Sequence, residues 1–160
     1  MPDLTYAVAL AAPAADVWEF LIRPANVMTV TDPGSGVRLL SGPDVMAPGT
    51  ANELEVTGFG LPQKVTYEVT TFQSPAGGAP GSFTETMTRG PMARFENAHH
   101  VAPVLQDDGS AAGCRVTDVF SFDPPGGLLG FVLTADRVTS ELNAAMAYRH
   151  AALRDRFGAA

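Results

Sequence analysis

The chain has 160 residues, 46% of them hydrophobic, which predicts one globular domain over 1–160 that buries roughly 70% of its unfolded surface. Seventeen acidic against ten basic side chains leave a net charge of −7. Such a surface opposes the phosphate neutralisation that nucleic acids and anionic membranes require, and the single cysteine, Cys114, excludes an intrachain disulfide framework.

Leu4, Tyr6, Val8 and Leu10 alternate with smaller residues and predict a first strand. The stretch Tyr6–Ala15 imitates a signal-peptide core, but only Asp3 is charged before it and the first basic residue is Arg23, so no secretory signal is expected. No run approaches the ~20 apolar residues of a spanning helix, and the expectation is a soluble, cytoplasmic protein without stable membrane insertion. Pro13 opens a short amphipathic helix to Ile22, with Val17, Phe20 and Leu21 on one face. Pro24–Thr31 reads as a second short helix, ended by the turn Asp32–Gly36.

Six further strands are expected at Val37–Leu40, Asn52–Thr57, Lys64–Phe72, Ser82–Arg89, Ala93–Leu105 and Arg115–Phe122. Short links rich in Gly, Pro, Asp and Ser join them, which implies antiparallel neighbours, since parallel pairing needs long crossovers. Gly58–Pro62 and Pro75–Gly81 read as mobile loops at a cavity mouth. From Leu128 to Phe157, apolar residues recur every three or four positions and predict one long helix, closed by Gly158. The fold class is therefore α+β: a curved antiparallel sheet of about seven strands around a long C-terminal helix, with two short helices after strand 1. Sheet and helix must cover each other's apolar faces, and the volume left between them is an expected small-molecule pocket.

The run Ala12–Leu21 (APAADVWEFL), the turn Ala47–Thr50, the strand Gly113–Asp118 and the segments Asp123–Gly130 and Ala147–Leu153 resemble the SRPBCC, or START-like helix-grip, superfamily. The nearest group is its polyketide cyclase/dehydrase and lipid-transport branch. The resemblance spans almost the whole chain in the right order and implies the helix-grip fold. It leaves function open among cyclases, hydrophobic-ligand carriers, hormone receptors and chaperone cofactors.

Strand alternation sorts the side chains by face, the inner face being the phase that carries the large apolar groups. Phe83 and Met87 bring Glu85 and Arg89 inward; Phe95 and Val101 bring Asn97 and His99; Val116, Phe120 and Phe122 bring Asp118; Val65 and Val69 bring Tyr67. One bulge reverses every assignment downstream of it. Leu142 and Met146 complete the pocket from the helix.

An enolisable carbonyl compound in such a pocket needs a base, a proton shuttle and an anion stabiliser. Glu85 or Asp118 is the candidate base, His99 the shuttle and Arg89 the stabiliser; the competing reading is a buried ion pair of Arg89 with one of the carboxylates. His99 and His100 face opposite ways and His150 has no spaced companion, so no metal site is expected. Lys64, the sole lysine, lies on a polar phase, which argues against a buried Schiff-base amine. Cys114 reads as an inert thiol, and Gly34–Gly36 and Gly126–Gly130 lack the context of nucleotide loops, so no cofactor is expected. The reading is a cofactor-independent cyclase or dehydratase acting on a small hydrophobic molecule, the alternative being a carrier; an oligomer has no support in the sequence.

Overall fold

The computed structural model describes residues 3–58, 61–76 and 78–160. The alternating N-terminal segment forms strand β1 (Asp3–Leu10), followed by helix α1 (Ala14–Leu21) and helix α2 (Pro24–Thr29). Proline sits where a missing N–H costs nothing: Pro13 is the N-cap of α1 and Pro24 stands in the first turn of α2. Six strands follow, β2 (Val37–Ser41), β3 (Ala51–Gly58), β4 (Leu61–Gln73), β5 (Gly81–Arg89), β6 (Arg94–Leu105) and β7 (Ala111–Asp123), and then helix α3 (Ala135–Phe157). All seven strands lie in one sheet of order β1-β7-β6-β5-β4-β3-β2, every neighbour antiparallel. The first strand closes against the last, so the sheet needs one long return and no parallel crossover.

The main core fills one end of the concave face. Trp18 of α1 packs against Phe72 and Phe83 at ring separations of 5.5 and 5.7 Å, and Val17, Leu21, Val101, Val116 and Leu153 are sealed around it. Gly81 makes that seat possible, because a Cβ there would stand 2.6 Å from the Trp18 ring. The backbone joins the chain's ends here as well: Ala11 and Ala12 donate to the carbonyls of Gly158 and Phe157. A second core lies under the start of α3, where Phe122 meets Leu133 and Val138.

One expectation changes at an element end. The C-terminal helix begins at Ala135 rather than Leu128, because Thr134 is extended, its hydroxyl accepting from Arg137 N at 3.2 Å as an N-cap. Leu128 and Phe131 belong instead to a 3-10 turn (Gly127–Phe131) and are 86% and 82% exposed, so neither joins the helix stripe. The segments 58–62 and 75–81, read from composition as mobile mouth loops, include residues 59, 60 and 77, which lie outside the described residues.

Candidate active site

Between α2, the sheet and the middle of α3 lies a cavity of about 280 Å³. Its walls are mainly apolar, with Leu21, Val27, Met46, Phe83, Phe95, Phe120, Leu142 and Met146 among them. The polar minority includes Asn52, Tyr67, Glu85, Asn97, His99 and Arg149. Strand register explains their convergence. Phe83 pairs with His99, His99 with Asp118, and Glu85 with Asn97, so β5, β6 and β7 present these groups on one face of three adjacent strands.

His99 is the hub. Its Nε2 lies 2.9 Å from Glu85 Oε2 and its Nδ1 lies 2.6 Å from Asp118 Oδ1. Two carboxylates offer only acceptors, so the ring satisfies both when both nitrogens carry protons, as an imidazolium. The Asp118 contact is a charge contact rather than an aligned hydrogen bond, which leaves both Asp118 oxygens without a directed donor. Phe83 stacks on the imidazole with ring centres 4.4 Å apart, a placement that favours the cation. Arg149 reaches in from α3, its guanidinium 3.9 Å from Asp118 Oδ1. On the other side Asn52 Nδ2 donates to Glu85 Oε1 at 3.1 Å.

Burial and charge compete at each group. Burial lowers the His99 pKa, but Asp118 and Glu85 more than reverse it, and the net shift is upward. Burial raises the Asp118 carboxyl, and the charges of Arg149 and His99 override it, holding the group down to about 2. Glu85 follows the same pattern: desolvation is opposed by His99, Asn52 and Arg149, and its pKa falls below the ordinary value. Tyr67 moves the other way, because burial and the Glu85 charge both resist a phenolate. The site therefore holds two anions and two cations in mutual compensation, beside a phenol that keeps its proton.

The members differ in access. Asp118 is fully buried and lies behind His99, away from the cavity wall, whereas the Glu85 side chain keeps 19% of its surface. Of the two carboxylates against His99, Glu85 is thus the one that faces the cavity, and Asp118 positions and charges the imidazole.

The structure brings Glu85, His99 and Asp118 together and places Tyr67, Phe83, Phe95, Asn97, Phe120, Leu142 and Met146 on the cavity wall. Arg89 does not join them. Tyr67 pairs with Met87 but Thr66 pairs with Arg89, so Thr88 is an extra residue on β5. That bulge turns Arg89 to the outer face, where it is exposed. The cation beside the carboxylates is Arg149. Met87 keeps the inward phase but packs over Gly90, where a Cβ would meet its sulfur, and Phe122 is covered by the second core; neither lines the cavity. Sequence reasoning missed Asn52 and Arg149, although both leave a trace. Asn52 shares the strand phase of Leu54, and Arg149 continues the Leu142, Ala145, Met146 stripe at helical spacing.

The remaining candidates sit apart. Lys64 is exposed on the outer face near Glu53, 3.7 Å away. Cys114 is buried, and burial pushes its thiol up to about 11. Among the described residues no three His, Cys, Asp or Glu side chains are arranged to hold a metal, and no helix is long and apolar enough to cross a membrane.

Residues 1–157 match the model of a family described as polyketide cyclase / dehydrase and lipid transport. The chain belongs to that family. Solved structures agree on its helix-grip fold. The protein TTHA0849 from Thermus thermophilus superposes with a TM-score of 0.65 at 13% identity, covering 98% of this chain and 97% of that one. The di-domain aromatase/cyclase (ARO/CYC) BexL of the BE-7585A biosynthetic pathway gives 0.59 at 21% identity, over 97% of this chain and 46% of BexL. A truncated norcoclaurine synthase from Thalictrum flavum gives 0.58 at 16% identity, over 96% of this chain and 91% of the synthase. No curated protein matches the sequence significantly. The family description thus names both cyclisation or dehydration and lipid transport.

Proposed function

We propose that the protein is a cofactor-independent cyclase or dehydratase acting on a small hydrophobic carbonyl compound, with Glu85 as general base. The observation that carries this is the charged set of Glu85, His99 and Arg149 on the wall of a mainly apolar cavity, with Asp118 buried behind His99. Burying four ionisable groups is costly, and a cavity that only retained an apolar molecule would gain nothing from it.

In this reading Glu85 removes a proton from the carbon beside a substrate carbonyl. The cluster starts neutral; once Glu85 is protonated it carries one net positive charge, in a low-dielectric site, at the moment the enolate oxygen becomes negative. Arg149 and the imidazolium of His99 supply that charge, and Tyr67 supplies a phenolic proton for a hydrogen bond. The enolate carbon then attacks a second carbonyl of the same molecule, forming a carbon–carbon bond and an alkoxide that takes the proton back from Glu85. Dehydration repeats the cycle: Glu85 removes a second proton and returns it to the leaving hydroxyl as water. Every proton that leaves carbon passes through one carboxyl.

The competing reading is a carrier, favoured by the internal compensation of the cluster, since each charge already has an opposite neighbour. Incubating the native protein and Glu85→Gln with a small-molecule extract of the producing organism separates the two. Mass spectrometry should find a compound altered by the native protein and retained unaltered by the variant, whose turnover should drop by roughly 10²–10⁴. A compound retained unchanged by both overturns the enzyme reading.

A further inference from the structure

From the inner wall we infer that the substrate carries a hydroxyl, phenolic or enolic, beside its reacting carbon, and that Asn97 is the residue that selects it. This rests on the cavity being the ligand site proposed above. Asn97 is 8% exposed and lines the cavity, yet its Oδ1 has no hydrogen-bond partner among the described residues. A buried acceptor left unpaired opposes folding and calls for a donor from outside the protein.

The other orphaned atoms at the site have local explanations. Asn52 Oδ1 is turned toward Gly42, where a Cβ would stand 2.6 Å away, so it faces backbone. Asp118 has His99 and Arg149 as charge partners, and the Arg149 guanidinium is pledged to Asp118. Among the described residues, only the Asn97 carbonyl combines burial, a place on the wall and no cationic partner to occupy it.

Its position fixes what the donor must be. Asn97 is the register partner of Glu85 on β5 and of Phe120 on β7, so its side chain rises from the same face as the proposed base, from a backbone one strand spacing, about 4.8 Å, away. Phe95, two residues along, faces Phe120 and Tyr67 with ring centres 5.9 Å apart in each case. A ring held among these three aromatic residues brings a hydroxyl to Asn97 and the neighbouring carbon toward Glu85. A volume of about 280 Å³, at the small end of ligand pockets, suits a compact mono- or bicyclic molecule better than a long extended chain. The substrate class is a small hydroxylated cyclic carbonyl compound or its enol.

The test uses 1-naphthol and 1-methoxynaphthalene, which share the ring and differ in the donor, titrated into the native protein and into Asn97→Leu by calorimetry. The native protein should bind 1-naphthol at least tenfold more tightly. In Asn97→Leu the two affinities should fall within about threefold of each other, with that for 1-methoxynaphthalene close to native. Because the substitution removes an unpaired acceptor at nearly constant shape, the ligand-free variant should melt no lower than the native protein. A preference that survives in Asn97→Leu, a native protein that binds both compounds equally, or a variant that melts well below native overturns the inference and leaves the cavity reading standing. Failure of both compounds to bind the native protein removes the cavity reading with it.

Discussion

His99 between Glu85 and Asp118 makes the protein's stability depend on pH in a defined way. The imidazole pKa is raised in the folded protein above its ordinary 6.5. Its contribution is therefore complete below about pH 6.5 and is lost as the pH rises through the folded value. Both carboxyls are lowered, Glu85 from 4.5 and Asp118 from 3.8 to about 2. Their contribution is complete above about pH 4.5 and is lost as the pH falls toward the folded values. For these three groups stability is greatest between about pH 4.5 and 6.5 and falls on both sides in urea unfolding, while the burial-lowered pKa of His150 works against it as the pH drops below 6.5. Asp118→Asn leaves His99 and Arg149 without their buried anion and should cost about 3–5 kcal/mol. It should also move the alkaline fall to lower pH, because the imidazole loses the charge that raises its pKa. A variant as stable as the native protein, with an unmoved pH profile, would show that Asp118 does not hold the imidazolium.

At the scale of elements, strand phase decides which side chains meet, and bulges decide where phase ends. Alternation alone placed Glu85, His99 and Asp118 on one face, and register brings them into contact. It failed at Arg89 for a reason that alternation does not contain: Thr88 is doubled against a single step of β4, and the next side chain leaves the cavity. A second irregularity at Thr70 lets Phe72 as well as Val69 face the core. Helix ends were equally opaque, since the apolar spacing of Leu128 and Phe131 continues that of α3 although the extended Thr134 cap separates them. Glycines expose the same limit at Gly113, on the edge where β7 meets β1. Its φ is +89°, and a Cβ would stand 2.2 Å from the Leu10 carbonyl oxygen. Gly109 has a similar φ of +81° but open space around it. Gly109→Ala should cost about 1 kcal/mol from backbone strain alone. Gly113→Ala should cost at least ~2 kcal/mol more by denaturant unfolding, since Leu10 must also move. Equal costs would mean the β1–β7 edge yields freely.

The whole molecule is a sheet too curved for one helix to fill. The α1 side chains plug one end around Trp18 and Leu153, the start of α3 plugs the other over Phe122, and the cavity is what remains between the plugs. That architecture was legible in the order of periods, two-residue, then helical, then two-residue six times, then helical, because each period demands a partner layer. The Arg149 side chain was not, since a cation on an amphipathic helix ordinarily faces water and only its place three residues after Met146 marks it as inward. In the proposed function, Glu85 moves protons at carbon between these two plugs. The direct measurement is exchange of the α-protons of 1-tetralone in deuterated buffer, followed by proton NMR with native protein and with Glu85→Gln, alongside a binding titration of each. Exchange should run well above the buffer rate with the native protein, and at the buffer rate with a variant that still binds the ketone. Binding without any acceleration by the native protein would contradict a proton-transfer role for Glu85.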